Sequence, residues 1–266
     1  MDPLVVGNWK MNLDLTESCV LSGQISKAVE SIRGIDVALC PPAVFLHPIF
    51  EYLKARPSNL YLGLQNSMWL DEGAYTGEIS YKMAKTVAKF VLVGHSERRK
   101  YFLESDEQIN EKIKYLLDRG AWPILCVGEK ERFHLEEYYE HEVKRMGEDG
   151  GILKQIELAL KNVDKSKLKD LTIAYEPVWA IGTGNAATGA YAAAICYIIR
   201  NYLKGILSDE IVEDIRILYG GSVDEKNVRE FMMQPSIDGL LVGGASVQSK
   251  EFIKIVQITS EVKNGG

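Results

Sequence analysis

Short apolar runs alternate along this chain with longer segments whose apolar residues return every three or four positions. The short runs, such as residues 4–9, are rich in β-branched side chains, which is typical of buried strands. Segments such as residues 106–119 place Ile109, Ile113 and Leu116 on one side, which indicates an amphipathic helix. Strands that alternate with helices predict a parallel sheet with helical crossovers.

The strand–helix unit recurs eight times, at about 33 residues per unit. Eight such units are the number that closes a (β/α)8 barrel (a TIM barrel), and we predict a single domain over residues 1–266. No Ser/Gly linker, low-complexity tract or charge block divides the chain. The predicted strands are residues 4–9, 36–40, 60–65, 90–93, 122–127, 171–175, 215–219 and 237–242, and the predicted helices are residues 15–33, 44–55, 80–88, 106–119, 129–162, 188–203 and 249–262.

The charge balance narrows the class of partner. The 266 residues are 46% hydrophobic, and 31 Lys and Arg face 37 Asp and Glu, for a net charge of −6. An acidic chain argues against nucleic acid or an anionic membrane as the main partner. No apolar run is long enough to span a bilayer, no signal peptide is recognisable, and the four cysteines form no CxxC pair. We therefore expect a cytoplasmic protein, with any positive potential for an anionic substrate supplied locally.

The segment 171–184 carries the strongest candidate chemistry. A β-branched run ends in one carboxylate, Glu176, and Pro177 then leads into an apolar loop that contains Gly182 and Gly184. An apolar flap over a carboxylate destabilises its charged form and raises its pKa, as a general base at a carbon acid requires. Taken alone, the same pattern also fits a strand-ending glutamate in an ordinary loop.

Other polar groups stand at the ends of predicted strands, which share one rim in a barrel of this kind. Asn8 and Lys10 leave the first strand on the same side, and Gln65 follows the third. His95 lies where a short helix can begin, and a helix N-terminus favours the neutral imidazole. Singly, the histidine also fits a structural role and Lys10 a solvated surface lysine.

Two glycine pairs follow the last two strands, before Ser222 and at Gly243–Gly244. Bare backbone N–H groups at a helix N-terminus bind anions, and barrels often bind phosphate at these two strand ends. One Gly-Gly pair alone is equally consistent with a tight turn, but two at consecutive strand ends favour a phosphate site.

Six motifs, in this order, resemble the triosephosphate isomerase family over the whole length of the chain. They are residues 7–12, 73–78, 94–99, 174–184, 219–223 and 241–246. The resemblance implies an isomerase of glycolysis and gluconeogenesis that interconverts dihydroxyacetone phosphate and D-glyceraldehyde 3-phosphate. It also implies no metal and no organic cofactor, because the carbonyl of the substrate is itself the electron sink.

The residue roles follow from the resemblance and not from spacing. Glu176 would move a proton between neighbouring carbons, and neutral His95 would polarise the carbonyl. Lys10 and Asn8 would stabilise the developing negative charge. Glu97 would pair with Lys10, and the backbone N–H groups of Gly182, Ser222, Gly243 and Gly244 would hold the phosphate of the substrate.

One motif and two departures from the family bear on assembly and loops. Residues 73–78 resemble the family's dimer loop, whose Thr76 would pack beside Asn8 and His95 of the partner subunit in a homodimer. Residues 131–151 are longer than is usual in the family. Asn185 and Ala186 replace the family's usual exit hinge of the flap, and we expect the flap to close normally all the same.

Three competing readings remain open. His134, Glu137 and His141 lie near one helix face and could be read as a metal site, but a solvated charged face fits better because the HExxH spacing is absent. A Schiff-base aldolase would use Lys10 as its nucleophile. A non-catalytic barrel scaffold would show the loss of Glu176, His95 or Lys10, and all three are present.

Overall fold

The computed structural model describes residues 1–180 and 187–265, apart from the side chains of residues 136–138. Within them, eight parallel strands pair in sequence order and the last pairs with the first, so the sheet is a closed barrel. The predicted (β/α)8 fold is therefore confirmed. The strands are β1 (Leu4–Asn8), β2 (Asp36–Cys40), β3 (Leu60–Leu64), β4 (Phe90–Val93), β5 (Trp122–Val127), β6 (Thr172–Tyr175), β7 (Arg216–Tyr219) and β8 (Gly239–Val242).

Helices connect the strands and surround the barrel. In the described ranges they are α1 (Leu15–Val29), α2 (Ala43–Tyr52), α3 (Tyr81–Ala84), α4 (Ser96–Tyr101), α5 (Asp106–Asp118), α6 (Leu135–Met146), α7 (Ile152–Ala159), α8 (Gly189–Ile206), α9 (Asp209–Asp214), α10 (Val228–Met232) and α11 (Ser249–Lys263). Short 3-10 helices occupy Lys165–Asp170, Val178–Ala180 and Gly244–Val247. None of the described helices is long and apolar enough to cross a membrane.

The side chains of each strand alternate between two apolar layers. In β1, Leu4 and Val6 point into the barrel, whereas Val5 packs with the layer between barrel and helices. Alternation follows from the period of two residues in a strand, and burying each such side chain contributes roughly 1.5–3 kcal/mol. Because side chains fill the barrel, groups that bind a substrate must lie at its rim.

Capping residues fix where several helices begin. Asp14 accepts a hydrogen bond from the backbone N–H of Glu17, whose carboxylate accepts one from the backbone N–H of Asp14. Thr188 likewise caps α8 by accepting from the backbone N–H of Tyr191. Such caps contribute about 1 kcal/mol each. The helix α8 therefore starts at a defined point directly after residues 181–187.

The structure differs from the predicted elements mainly in short helices. The predicted helix 129–162 is two helices, α6 and α7, because glycines 147, 150 and 151 interrupt it and Gly150 has a φ of 83°. The predicted helix 80–88 shrinks to α3. The helices α9 and α10 were not predicted, since five or six residues are too few to show a helical period.

Candidate active site

The carboxyl-terminal ends of the strands surround a cavity of about 430 Å³. It brings together residues from both ends of the chain, as the barrel topology requires. Gly182 lies outside the described residues, and Thr76 does not line this cavity. The cavity is lined by the remaining predicted site residues, namely Asn8, Lys10, His95, Glu97, Glu176, Ser222, Gly243 and Gly244.

Glu176 follows β6 and is almost completely buried, with 2% of its surface exposed. Its Oε1 lies 3.0 Å from Nε2 of His95, and its Oε2 accepts a hydrogen bond from the backbone N–H of Ser96 at 2.9 Å. The backbone of Gly128 passes so close that a Cβ there would lie 1.7 Å from the carbonyl oxygen of Glu176. Only glycine at position 128 therefore lets the end of β5 approach the base.

His95 is the N-cap of α4, as the sequence predicted for a short helix at this point. Its Nδ1 accepts a hydrogen bond from the backbone N–H of Glu97 at 3.2 Å. A nitrogen that accepts carries no proton, so the neutral tautomer has its proton on Nε2. Nε2–H then points to Oε1 of Glu176 and into the cavity.

The charges of this pair differ from the sequence expectation. Burial raises the pKa of Glu176, but His95 and the N–H of Ser96 together outweigh it and the pKa is lowered. Burial lowers the pKa of His95, but the carboxylate of Glu176 outweighs it and the pKa is raised. Both directions are opposite to the sequence expectation of a raised pKa for Glu176 and a His95 held neutral by the helix N-terminus. The pKa of Glu176 differs from this expectation because its carboxylate contacts two hydrogen-bond donors, Nε2 of His95 and the backbone N–H of Ser96.

Lys10 adopts an unusual backbone conformation, with a φ of 53°. Its backbone N–H donates to Oδ1 of Asn8 at 3.1 Å, and the side-chain amide of Gln65 donates to its carbonyl oxygen at 2.8 Å. Its Nζ lies 2.6 Å from Oε1 of Glu97. These contacts direct the ammonium group into the cavity, in spite of a backbone region that side chains rarely adopt.

The glycine-rich turns form the opposite wall. Gly243 lies beside Lys10, since a Cβ there would come within 3.7 Å of Nζ. Ser246 fixes this turn by donating to the carbonyl oxygen of Gly243. Ser222 is exposed on the other turn, next to Asp224 and Asn227, which also line the cavity. Sequence reasoning missed Asp224 and Asn227, although an Asp-x-x-Asn pattern after the glycine pair was visible.

A second buried carboxylate, Glu129, was also missed. Its Oε1 accepts hydrogen bonds from the hydroxyl groups of Tyr175 and Tyr191 and from Nε1 of Trp179. Burial raises its pKa to about 7, against the opposing effect of these donors. Arg132 lies over the rings of Trp179 and Tyr191. The cluster therefore ties residues 129–132 to the start of the segment in which the sequence predicts a flap.

Exposed apolar side chains lie beside the site. Met11 is 96% exposed, and Phe102 and Leu103 are 67% and 81% exposed. A second cavity, lined by Asn8, Lys10, His95, Met11 and Phe102 among others, opens there. Thr76 is exposed on its loop. Exposed apolar patches of this kind mark interaction surfaces.

The predicted flap hinge and the alternative metal site lie partly outside the described residues. Asn185 and Ala186 lie outside the described residues, and so does the side chain of Glu137. His134 and His141 are exposed. Across the ranges that are described, no group of three or more His, Cys, Asp or Glu side chains could hold a metal ion.

The fold and the site together define the class of protein, a (β/α)8-barrel enzyme with a carboxylate, an imidazole and an ammonium group around one cavity at its rim. Comparison with known proteins identifies the family within this class. The family model described as "Triosephosphate isomerase" matches residues 3–259.

Three relatives named triosephosphate isomerase illustrate the similarity. The chain is 42% identical over 262 residues to that of Dehalococcoides mccartyi, covering 98% of each chain. It is 43% identical over 256 residues to that of Carboxydothermus hydrogenoformans, with 96% of this chain and 98% of the relative covered. For Lactobacillus delbrueckii subsp. bulgaricus the identity is 38% over 256 residues, covering 96% and 97%. The chain belongs to the triosephosphate isomerase family and has that family's isomerase activity, which places it in glycolysis.

Proposed function

We propose that this isomerase interconverts dihydroxyacetone phosphate and D-glyceraldehyde 3-phosphate through an enediolate, with Glu176 as the base and His95 as the electrophile. The observation that carries the assignment is the pair itself. A buried carboxylate lies 3.0 Å from an imidazole Nε2 whose other nitrogen accepts a backbone N–H. A base and a neutral hydrogen-bond donor at one point of one cavity are what proton transfer beside a carbonyl requires.

Glu176 changes partners during the reaction. In the described arrangement it is bound to His95 and Ser96, so its pKa is low. Substrate that enters between the two residues takes Nε2–H for its carbonyl oxygen and removes one partner from the carboxylate. The remaining burial then raises the pKa of Glu176 and lowers the pKa of His95, so that His95 acts as a neutral donor once the pair is separated. Glu176 takes a proton from the carbon next to the carbonyl.

The enediolate carries negative charge on oxygen, and Lys10 faces the cavity to stabilise it with Asn8. Glu176 returns the proton to the neighbouring carbon, while His95 relays protons between the two oxygens. The backbone N–H groups of Ser222, Gly243 and Gly244 bind the phosphate, and Gly182 is assigned the same role from the sequence. Closure of the flap over the site stays a prediction.

The Schiff-base aldolase is disfavoured by the partner of Lys10. Its Nζ lies 2.6 Å from Oε1 of Glu97, and this contact would have to be broken before the nitrogen could attack a carbonyl carbon. A nucleophilic lysine needs the neutral amine. Borohydride reduction in the presence of substrate would trap an adduct on Lys10 only if the aldolase reading were correct.

Assembly and location complete the proposal. The chain works as one barrel domain over residues 1–266, and two copies form a two-fold homodimer through the exposed face at Met11 and Phe102. The loop with Thr76 inserts into the partner subunit, toward Asn8 and His95. An isologous contact of this kind would cover an apolar face that borders the site. The enzyme acts in the cytoplasm, without nucleic acid, membrane, metal or organic cofactor, and serves gluconeogenesis as well.

The decisive experiment compares Glu176→Gln with Glu157→Gln, a matched control on an exposed residue of α7. In a coupled assay with D-glyceraldehyde 3-phosphate, the first variant should lose roughly three or more orders of magnitude in kcat, because proton transfer is removed. It should still bind 2-phosphoglycolate, and the control should match the wild type. Near-normal turnover by Glu176→Gln would remove Glu176 from the mechanism.

A further inference from the structure

The loop that presents Ser222 is closed by a side chain to which no role has been given so far, Asn227. Its Oδ1 accepts a hydrogen bond from the backbone N–H of Asp224 at 2.9 Å. Its Nδ2 donates to the carbonyl oxygen of Ser222 at 3.2 Å. One amide group thus joins both ends of the three-residue segment 222–224.

Asp224 completes the arrangement from the other side. Its Oδ1 accepts from the backbone N–H groups of Lys226 and Asn227, at 2.8 and 2.9 Å. The backbone N–H of Val228, the first residue of α10, donates to the carbonyl oxygen of Asp224. The loop is therefore attached to α10, and α10 is attached to the barrel by the stacking of Phe231 on Tyr219, with ring centroids 4.1 Å apart.

The loop depends on this attachment because the two residues before Ser222 are glycines, which do not stiffen the backbone. Asn227 and Asp224 also line the same cavity as Ser222 and Gly243. A neutral amide holds the loop without adding a second negative charge to that of Asp224 beside the phosphate dianion. The choice of asparagine at position 227 thus fits a phosphate-binding wall.

We propose that Asn227 is a positioning residue that holds the backbone N–H and hydroxyl groups of Ser222 toward the phosphate of the substrate. Asn227 acts through Ser222 and contacts no reacting atom. This assignment rests on the proposed function insofar as the bound anion is the phosphate of a triose.

The test measures Asn227→Ala beside Asn201→Ala, a matched control on an exposed position of α8. The KM for D-glyceraldehyde 3-phosphate and the inhibition constant of inorganic phosphate should rise together, by about three- to tenfold, as for the loss of one or two hydrogen bonds. The kcat should change by less than about twofold, since the base and the electrophile are untouched. Turnover of D-glyceraldehyde, which has no phosphate, should also stay unchanged.

For a second variant we expect the opposite change in phosphate affinity. Asp224→Asn keeps an acceptor for the two backbone N–H groups and removes a negative charge from the phosphate wall, so the inhibition constant of inorganic phosphate should fall. If Asn227→Ala does not fold, the isosteric Asn227→Asp takes its place. It keeps Oδ1 as an acceptor but loses the donor and adds a charge, so it should raise the inhibition constant of inorganic phosphate above that of the wild type.

Unchanged phosphate inhibition in a folded Asn227 variant overturns the proposal, and so does an equal loss with D-glyceraldehyde, which indicates general damage to the site. The two proposals fail separately. A wild-type protein without isomerase turnover would contradict the proposed function, while phosphate affinity measured by ³¹P NMR would still test Asn227.

Discussion

The indole of Trp179 donates a hydrogen bond of 2.6 Å to Oε1 of Glu129, on a carboxylate that is 4% exposed. Tyr175 and Tyr191 donate to the same oxygen, while Oε2 is buried without a hydrogen-bond partner in the part of the chain that is described. A buried carboxylate with all its donors on one oxygen is poorly solvated in its charged form. Burial is the cause of its raised pKa, and the three donors on one oxygen do not offset it.

Glu129 should therefore make stability depend on pH. Its pKa is about 7 in the folded state against 4.5 for the free group. Between these values the folded state binds the extra proton, so the free energy of unfolding should fall as pH rises from 4.5 to 7, by at most about 3 kcal/mol. Urea unfolding of the wild type and Glu129→Gln across this range measures it. The glutamine variant should lack this component of the slope, and parallel curves would contradict the assignment.

The same titration should be visible at Trp179. Loss of charge on Glu129 below pH 7 weakens a charge-assisted hydrogen bond to its indole. The fluorescence difference between the wild type and Trp179→Phe should titrate near pH 7. A difference spectrum that is flat between pH 5.5 and 8.5 would exclude the coupling.

Breaking a buried ion pair outside the active site should cause a large loss of stability. Glu104 accepts hydrogen bonds from Lys112 at 2.6 Å and from Arg98 at 2.7 Å, and both Glu104 and Lys112 are buried. Glu104→Gln leaves the Lys112 charge poorly compensated and should cost about 3–5 kcal/mol in urea unfolding. The double variant Glu104→Gln with Lys112→Met removes that charge and should recover part of the loss. If the second substitution only adds to the first, the charge is not the cause.

Much of the fold could be predicted from the sequence because the strands have a regular pattern. Three of them, β2, β4 and β5, have the predicted bounds, and the others differ only at their ends. The short helices α9 and α10 have too few residues for a period, and tertiary contacts stabilise them.

The sequence predicts only those site residues that lie at the ends of strands. Glu176 follows β6 directly, and Lys10 and His95 lie two residues beyond β1 and β4, so the barrel topology places all three at the rim. The partners of Glu129 lie about 50 or more residues away in the sequence. Asn227 bonds to a loop whose shape is defined only in the folded chain. Neither contact could be predicted from the sequence alone. The low pKa of Glu176 likewise depends on which donors its carboxylate meets.

Two glycines in α8 provide a matched pair of substitutions. A Cβ on Gly189 would lie 2.8 Å from Cγ and 2.9 Å from the carbonyl oxygen of Glu230, whose carboxylate accepts the backbone N–H of Gly189. Gly205 has no heavy atom within 4 Å of such a Cβ. Gly189→Ala should therefore lower the Tm, and Gly205→Ala should stabilise by about 0.5–1 kcal/mol through helix propensity. Equal effects at both positions would contradict the close packing at Gly189.

The proposed dimer predicts a loss of association when its apolar face is charged. Met11→Glu should yield monomers in sedimentation with reduced turnover, because Lys10 and His95 lose a packing neighbour. Met233→Glu, at a methionine that is 68% exposed outside the proposed interface, serves as the control and should leave assembly unchanged. A fully active monomer of the first variant would contradict the role of this face.

The backbone conformation of Lys10 would mislead a screen that ranks substitutions by stability alone. Its left-handed backbone costs on the order of 1 kcal/mol, which glycine would not incur. A selection for heat resistance that ignores turnover should therefore enrich Lys10→Gly, and the improved protein would have lost its ammonium group. Stability data alone would then report the lysine that the mechanism needs as an unfavourable residue.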